Sequence, residues 1–201
     1  MIKFENGKYF TYDIIGEFHS SGEWIHPKRS IESYEVILVL EGTVYIAEET
    51  REYVLQKNQL LLLEPFKEHY GYKTVSEPTA FYWFHFFTDL EVPLKSYTGT
   101  DIYEIKQLLK RLLHVSNTPT YSPAAADSVG YLIFEELIRL SLEENSSNQA
   151  LAARISEYIR NNIKNGITVS DIADHFGYNA DYIGKYFKES HGIGLKEYLA
   201  V

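Results

Sequence analysis

The sequence predicts an α+β chain: an N-terminal antiparallel β-barrel, then helices, ending in a small three-helix module. Three observations predict it. Through about residue 92, short segments rich in Val, Ile, Tyr and Phe alternate with turn signals. Beyond Pro93 the apolar residues recur at helical spacing. In the C-terminal quarter, capping residues and glycines fall at the ends of short periodic runs.

In the β half, strands are expected at 34–40, 43–47, 52–55, 60–63 and 79–87. Turns at Glu41-Gly42, 48–50 and Lys57-Asn58 separate the first four, and Pro65 closes the fourth. Strands this short and regularly spaced favour a small barrel or sandwich. In the helical half, Ile102, Ile105, Leu108, Leu109, Leu112 and Leu113 form one stripe, with Lys106, Lys110 and Arg111 on the other side. After a break at 118–127, Val129, Leu132, Ile133, Leu137 and Leu140 mark a second helix. The polar stretch 143–149 is expected to separate two domains, 1–145 and 150–201. A helix over 150–162 then buries Leu151, Ile155, Tyr158 and Ile159, and Asn165-Gly166 ends it. Ser170 is expected to cap a helix over 171–176, and Asn179 one over 180–190 that Gly192 stops. A further helix begins over Leu195–Val201.

Composition narrows the chemistry. Cysteine is absent, which excludes disulfides, thiolate zinc sites and a cysteine nucleophile. The start lacks a basic segment followed by an apolar one, and no apolar run is long enough to span a bilayer. A soluble cytoplasmic protein with no membrane partner is the expectation. Residues 1–149 carry 13 Lys+Arg against 22 Asp+Glu, the whole formal net charge of −9, while 150–201 carry 6 of each. The acidic part should not hold nucleic acid; the neutral part could, through a local basic face.

That neutral part contains "ITVSDIADHFGYNADYIGKYFKE", 167–189. Two helices that cross closely need a small residue at the contact and a turn residue comfortable at positive φ. Ala173 and Gly177 supply these, and Ile183, Tyr186 and Phe187 give the second helix its apolar face. An ordinary helical hairpin would meet the same demands. The stretch, with its "SHGIGLKEYLA" tail, closely resembles the first helix-turn-helix of AraC/XylS-type transcription regulators. The matching pieces are the acidic-Ile-Ala of the first helix, Phe-Gly-Tyr at the turn, and Tyr-Ile with Tyr-Phe-Lys in the second. The resemblance implies a recognition helix whose base-facing positions are Asp181, Gly184 and Lys185, with Tyr182 and Lys188 near phosphate or sugar. Lys185 is the favourable donor, for guanine; Gly184 has no side chain, and Asp181 repels phosphate but can accept from cytosine. The family carries two such modules, and here the joining helix barely begins, so a truncated form that binds DNA weakly is expected.

The β half resembles the cupin-like sensor domain of the same regulators. "YEVILVLEG", "LLLLEP", the His four residues after Pro65 and "FYWFHF" carry that likeness. Cupin enzymes generally hold a metal with two His and a Glu on one strand pair and a later His. Glu35 and His69 match; Arg29 and Ile31 stand near the other two His positions. Two ligands are too few for a catalytic centre, so no metal, cofactor or catalytic residue is expected. Phe81, Trp83 and His85 alternate on one strand face. Trp83 falls where sugar-sensing relatives stack a pyranose ring, and His26 and Arg29 could fix hydroxyls, with Glu17 and His19 as further possibilities. The stripe Ile102, Ile105, Leu109 and Leu112 falls where the resemblance places the dimer contact; packing within the chain would also cover it.

The expected function is a ligand-responsive bacterial transcription regulator. A barrel-bound small molecule, a sugar by resemblance, would control DNA binding by a homodimer. Two readings from other classes are a metal-dependent cupin enzyme and a dimeric sensor that does not bind DNA.

Overall fold

A computed structural model describes residues 1–98, 102–163 and 166–200, the side chains of 143–150 excepted. Asn165 and Val201, assigned above to a helix end and a last helix, lie outside the described residues. The chain divides into two compact units, Met1–Ser141 and Leu142–Val201.

The first unit is a sandwich of two antiparallel sheets. Its strands are β1 (Ile2–Lys3), β2 (Tyr9–Ser20), β3 (Arg29–Ser30), β4 (Tyr34–Glu41), β5 (Thr43–Glu48), β6 (Arg51–Gln56), β7 (Leu60–Leu63), β8 (Glu68–Tyr70), β9 (Thr79–Thr88) and β10 (Ser96–Tyr97). The larger sheet runs in the order β1-β2-β9-β4-β7-β10, and the smaller in the order β3-β8-β5-β6.

The larger sheet is covered on both faces, which explains why its central strands read as continuous apolar runs. Its inner face packs Ile37, Val39, Leu61, Leu63 and Phe81 against Val44, Ile46, Tyr53 and Leu55 of the smaller sheet. Its outer face packs Val36, Leu38, Leu60, Leu62, Phe84 and Phe86 against the helices α1 (Tyr103–Ser116) and α2 (Pro123–Asn162). Each fully buried leucine of β7 stabilises the fold by roughly 1.5–3 kcal/mol.

The α1 stripe corrects the sequence reading. Ile102, Ile105, Leu109 and Leu112 are all buried in this core, none more than 4% exposed. They are consumed inside one chain and offer no surface to a second copy. The stretch 143–149 is helical, inside α2, rather than a turn, and it lies just past the division between the two units. It contains no Gly or Pro, and Glu, Ser and Asn cost at most about 0.7 kcal/mol each relative to Ala in a helix.

The second unit packs Ala152, Ile155 and Ile159 of α2 with α3 (Val169–Phe176), α4 (Ala180–His191) and α5 (Leu195–Leu199). Ala173, Ile183 and Phe187 lie in that core. The cap of α3 is Thr168, not Ser170. The Thr168 side chain accepts from the Asp171 N–H, and the Asp171 carboxylate accepts from the Thr168 N–H, a reciprocal capping box. Asn179 caps α4 as expected, accepting from the Tyr182 N–H at 2.7 Å.

Gly177 ends α3 at φ 74°, in the left-handed region. Gly184 lies within α4, and a Cβ there would meet nothing within 4 Å. Opposite effects are therefore expected from one methyl group. Gly177→Ala should destabilise the second unit by roughly 1 kcal/mol through backbone strain. Gly184→Ala should stabilise it by about 0.5–1 kcal/mol. Chemical denaturation of both variants checks the signs.

Candidate functional site

The inner face of β9 carries Phe81, Trp83 and His85, and strand register decides what each one meets. Across β4 their partners are Val39, Ile37 and Glu35. Across β2, Phe81 faces Phe18 and Trp83 faces Gly16. The face therefore grades from apolar at Phe81 to polar at His85. The loop after β2 closes over it, fastened by Trp24 and Val75 exchanging backbone hydrogen bonds at 2.9 and 3.0 Å and by the Gly71 N–H donating to His26 O at 3.0 Å.

Between loop and sheet lies a cavity of about 290 Å³. Its apolar wall is Phe18, Trp24, Phe81 and Trp83. Phe18 stacks on Phe81 at 4.7 Å between centroids and lies 4.7 Å from Trp24. The polar wall is His26, Arg29 and Glu35. Trp83 fits because residue 16 is glycine: a Cβ there would come within 2.3 Å of the indole. The Trp24 indole N–H is buried without a hydrogen-bond partner. An orphaned donor of this kind costs roughly 1–3 kcal/mol.

The polar wall is a connected charge network. Arg29 Nη2 donates to both carboxylate oxygens of Glu35, at 3.1 and 3.2 Å, and Arg29 Nε donates to His69 Nε2 at 3.1 Å. Ser33 Oγ lies 3.2 Å from His85 Nδ1. Glu35 is fully buried. Burial alone would raise its carboxyl, but His85 and Arg29 beside it outweigh that and hold it below the usual carboxylate range. His26 donates from Nδ1 to Pro27 O at 2.9 Å, which leaves Nε2 as an acceptor. Burial, partly offset by Glu35, pushes the His26 imidazole down to about 4. Burial pushes His69 down as well.

These shifts predict an acid sensitivity with a definite sign. Unfolded His26 takes up its proton near pH 6.5 and folded His26 near 4. Between those values the unfolded state binds more protons, so stability is complete above the upper value and is lost as pH falls toward the lower. The loss is on the order of 3 kcal/mol. His69 adds a slope of the same sign. Urea denaturation across this window should show the slope, and His26→Gln should flatten it.

The metal that the cupin resemblance implies does not fit these residues. The lone pairs of Glu35 and His69 that would hold it are engaged by Arg29 N–H groups. Among the described residues no group of three or more His, Cys, Asp or Glu side chains could hold a metal.

Of the residues singled out from the sequence, His26, Arg29, Phe81 and Trp83 line this cavity. His85 lies just beyond, its ring 5.3 Å from Trp83. Glu17 and His19 pair with each other at 2.9 Å instead and do not line it. Phe18, Trp24 and Glu35 were not singled out for the ligand site. Glu35 was legible in principle, because it alternates with Ile37 and Val39 on the strand face that pairs with Phe81, Trp83 and His85.

A larger cavity of about 440 Å³ is lined by Glu48, Glu64, Lys67 and Lys95 among others. Within it Lys95 pairs with Glu48 and Glu64, and Lys67 with Glu64 at 2.9 Å, while Glu49 and Arg51 also line it.

On α4, Asp181, Tyr182, Lys185 and Lys188 are exposed and Gly184 is half-buried. Tyr182 stacks on Tyr178 at 5.0 Å, and Lys185 lies 4.0 Å from Glu189. No helix among the described residues is long and apolar enough to cross a membrane.

Two solved structures align with less than half of this chain, and one sequence relative with most of it. A cupin-2 domain containing protein from Shewanella frigidimarina NCIMB 400 is 19% identical, with 35% of this chain and 66% of that one covered and a TM-score of 0.29. A cupin superfamily protein from Desulfitobacterium hafniense DCB-2 is 13% identical, with 42% and 82% covered and a TM-score of 0.32. An uncharacterized HTH-type transcriptional regulator of Bacillus subtilis (strain 168), YisR, is 23% identical over 228 aligned positions, covering 94% of this chain and 78% of that one. The sequence model described as AraC-like ligand binding domain matches residues 12–155. That match spans well over half of the sequence, and the chain belongs to the AraC-like ligand binding domain family.

Proposed function

We propose that the chain is a transcription regulator whose cavity beside Trp83 binds a neutral monosaccharide, and that the bound sugar controls DNA binding through α4. The observation that carries the ligand reading is the wall itself: two indoles with Arg29, Glu35 and His26 in one cavity. An indole face suits the C–H face of a sugar ring. Arg29 donates and the His26 Nε2 accepts, so hydroxyls find both kinds of partner. The charges favour a neutral ligand, because Arg29 is already offset by Glu35 and His26 is uncharged at neutral pH. An anion would sit uncompensated near a buried carboxylate. At about 290 Å³ the cavity is at the small end of ligand sites, which span roughly 300–1,000 Å³, and so favours one ring over two.

The DNA-reading side of the proposal is supported by the exposed face of α4, where Lys185 and Lys188 supply cationic donors. Control requires the sugar to prefer one of two arrangements of the regulator. A homodimer would have to pair through surfaces other than the buried α1 stripe. One observation favours a sensor that does not bind DNA: α4 offers few donors, with Asp181 and Gly184 among the five positions and Lys185 near Glu189. A gel-shift titration on DNA upstream of its own gene, at two salt concentrations, separates these readings.

A thermal-shift screen over mono- and disaccharides tests the ligand. At least one monosaccharide should raise the melting temperature, and Trp83→Ala should abolish that rise. If only another metabolite class raises it, the sugar reading fails.

A further inference from the structure

At one end of the sandwich several residues overhang the paired strands. The register of β4 with β9 starts at Tyr34 opposite Phe86, so Phe87 and Thr88 extend beyond it. The register of β4 with β7 starts at Glu35 opposite Leu63, so Pro65 and Phe66 also lie past the pairing. Together with Tyr9 of β2 these ends enclose a cavity of about 300 Å³. Four aromatic side chains line it, those of Tyr9, Tyr34, Phe66 and Phe87, and among its described lining residues Glu32 alone carries a charge. Phe66 takes an unfavourable conformation to reach it. Its φ is 63°, which a bulky residue rarely adopts, and it is 75% exposed. The Phe66 N–H donates to Ile31 O at 2.7 Å, which ties the ring to the loop that carries Glu32. Among the described residues the rings of Tyr9, Phe66 and Phe87 stack on no other ring and hold no cation, and Glu32 forms no ion pair. Lys67, next to Phe66, pairs with Glu64 at 2.9 Å and does not line the cavity.

We propose that this cavity is an aromatic cage for a small quaternary ammonium solute, a trimethylammonium group of the kind choline carries, with Glu32 as its counter-charge and Phe66 closing over it. The face of an aromatic ring is electron-rich and attracts a cation, most strongly where water is excluded. A quaternary nitrogen has no N–H to satisfy, so aromatic walls suit it. A primary ammonium would lose its hydration there without enough acceptors in return. The Glu32 carboxylate selects a cation over a neutral ligand of the same shape. A ring that a strained backbone holds toward solvent gains contacts when the cation arrives. The site shares no lining residue with the cavity beside Trp83 and does not rest on the sugar reading.

The test is a calorimetric titration of the full chain with choline chloride and, separately, with dimethylbutanol, its uncharged carbon isostere. Choline should bind about tenfold more tightly than the isostere. Phe66→Leu keeps apolar bulk but removes the ring face, and should weaken choline binding about tenfold. Glu32→Gln should weaken it severalfold. Both positions are exposed, so circular dichroism should show both variants folded. Equal affinity for choline and its isostere overturns the proposal. So does the absence of choline binding, or binding that survives both substitutions. Phosphatidylcholine vesicles that sediment the chain when free choline does not bind would place the group on a lipid, which also overturns a solute site.

Discussion

Replacing Gly16 by valine is expected to abolish the effector response and to cost roughly 1–3 kcal/mol of stability. Gly16 and Trp83 are directly opposed across β2 and β9. A Cβ at residue 16 would lie 2.3 and 2.4 Å from Trp83 Cζ2 and Cε2, far inside van der Waals contact. The rigid indole cannot yield locally and must turn away. Glycine inside a strand is unfavourable by itself, and an aromatic ring laid over it offsets part of that cost. The pair thus fixes the indole that forms one wall of the cavity. Gly16→Ala should show an intermediate effect. Chemical denaturation and thermal shift with the active sugar measure both quantities, and an unchanged ligand response in the valine variant would show that Gly16 does not set the Trp83 position.

Phe187→Ala should have the largest effect on the second unit, a loss of about 3–5 kcal/mol. Phe187 is fully buried, stacked on His191 at 4.0 Å and packed edge-on to Tyr198 at 5.0 Å. Small units hold little stability in reserve, so this loss should unfold the helices around it. Hydrogen exchange should accelerate across α3 and α4 while β4 and β7 stay protected. DNA binding should disappear, and the sugar-induced stabilisation of the first unit should remain. Loss of the sugar response as well would contradict separate roles for the two units.

The β half was legible because its chemistry is local. Turn residues such as Gly42, and alternation at Phe81, Trp83 and His85, specify strands and a shared face. What the two faces of a buried strand meet is a tertiary fact. The run 60–63 does not reveal that Leu60 and Leu62 meet helices while Leu61 and Leu63 meet the other sheet. The same limit explains the α1 stripe. An apolar helix face must be covered, but its spacing cannot distinguish a second copy from the outer face of the chain's own sheet. The polar composition of 143–149 marks the neighbourhood where the two units divide but not its helical backbone, since the stretch lacks the residues that force a break. Thr168 was missed as a cap because its partner Asp171 lies three residues on, a pairing that also marks where α3 begins. Trp24 could not be placed from periodicity, since it lies outside the regular strands and reaches the cavity through its bridge to Val75.

Both tryptophans of the chain, Trp24 and Trp83, line the proposed effector cavity. Intrinsic emission therefore reports on that cavity directly. The most direct measurement is a fluorescence titration with the monosaccharide that gives the largest thermal shift. A sugar bound there should change the emission saturably, with the same Kd as the thermal shift, and Trp83→Ala should remove both. A ligand that stabilises the protein while leaving tryptophan emission unchanged would bind elsewhere and contradict the assignment of this cavity as the sensor site.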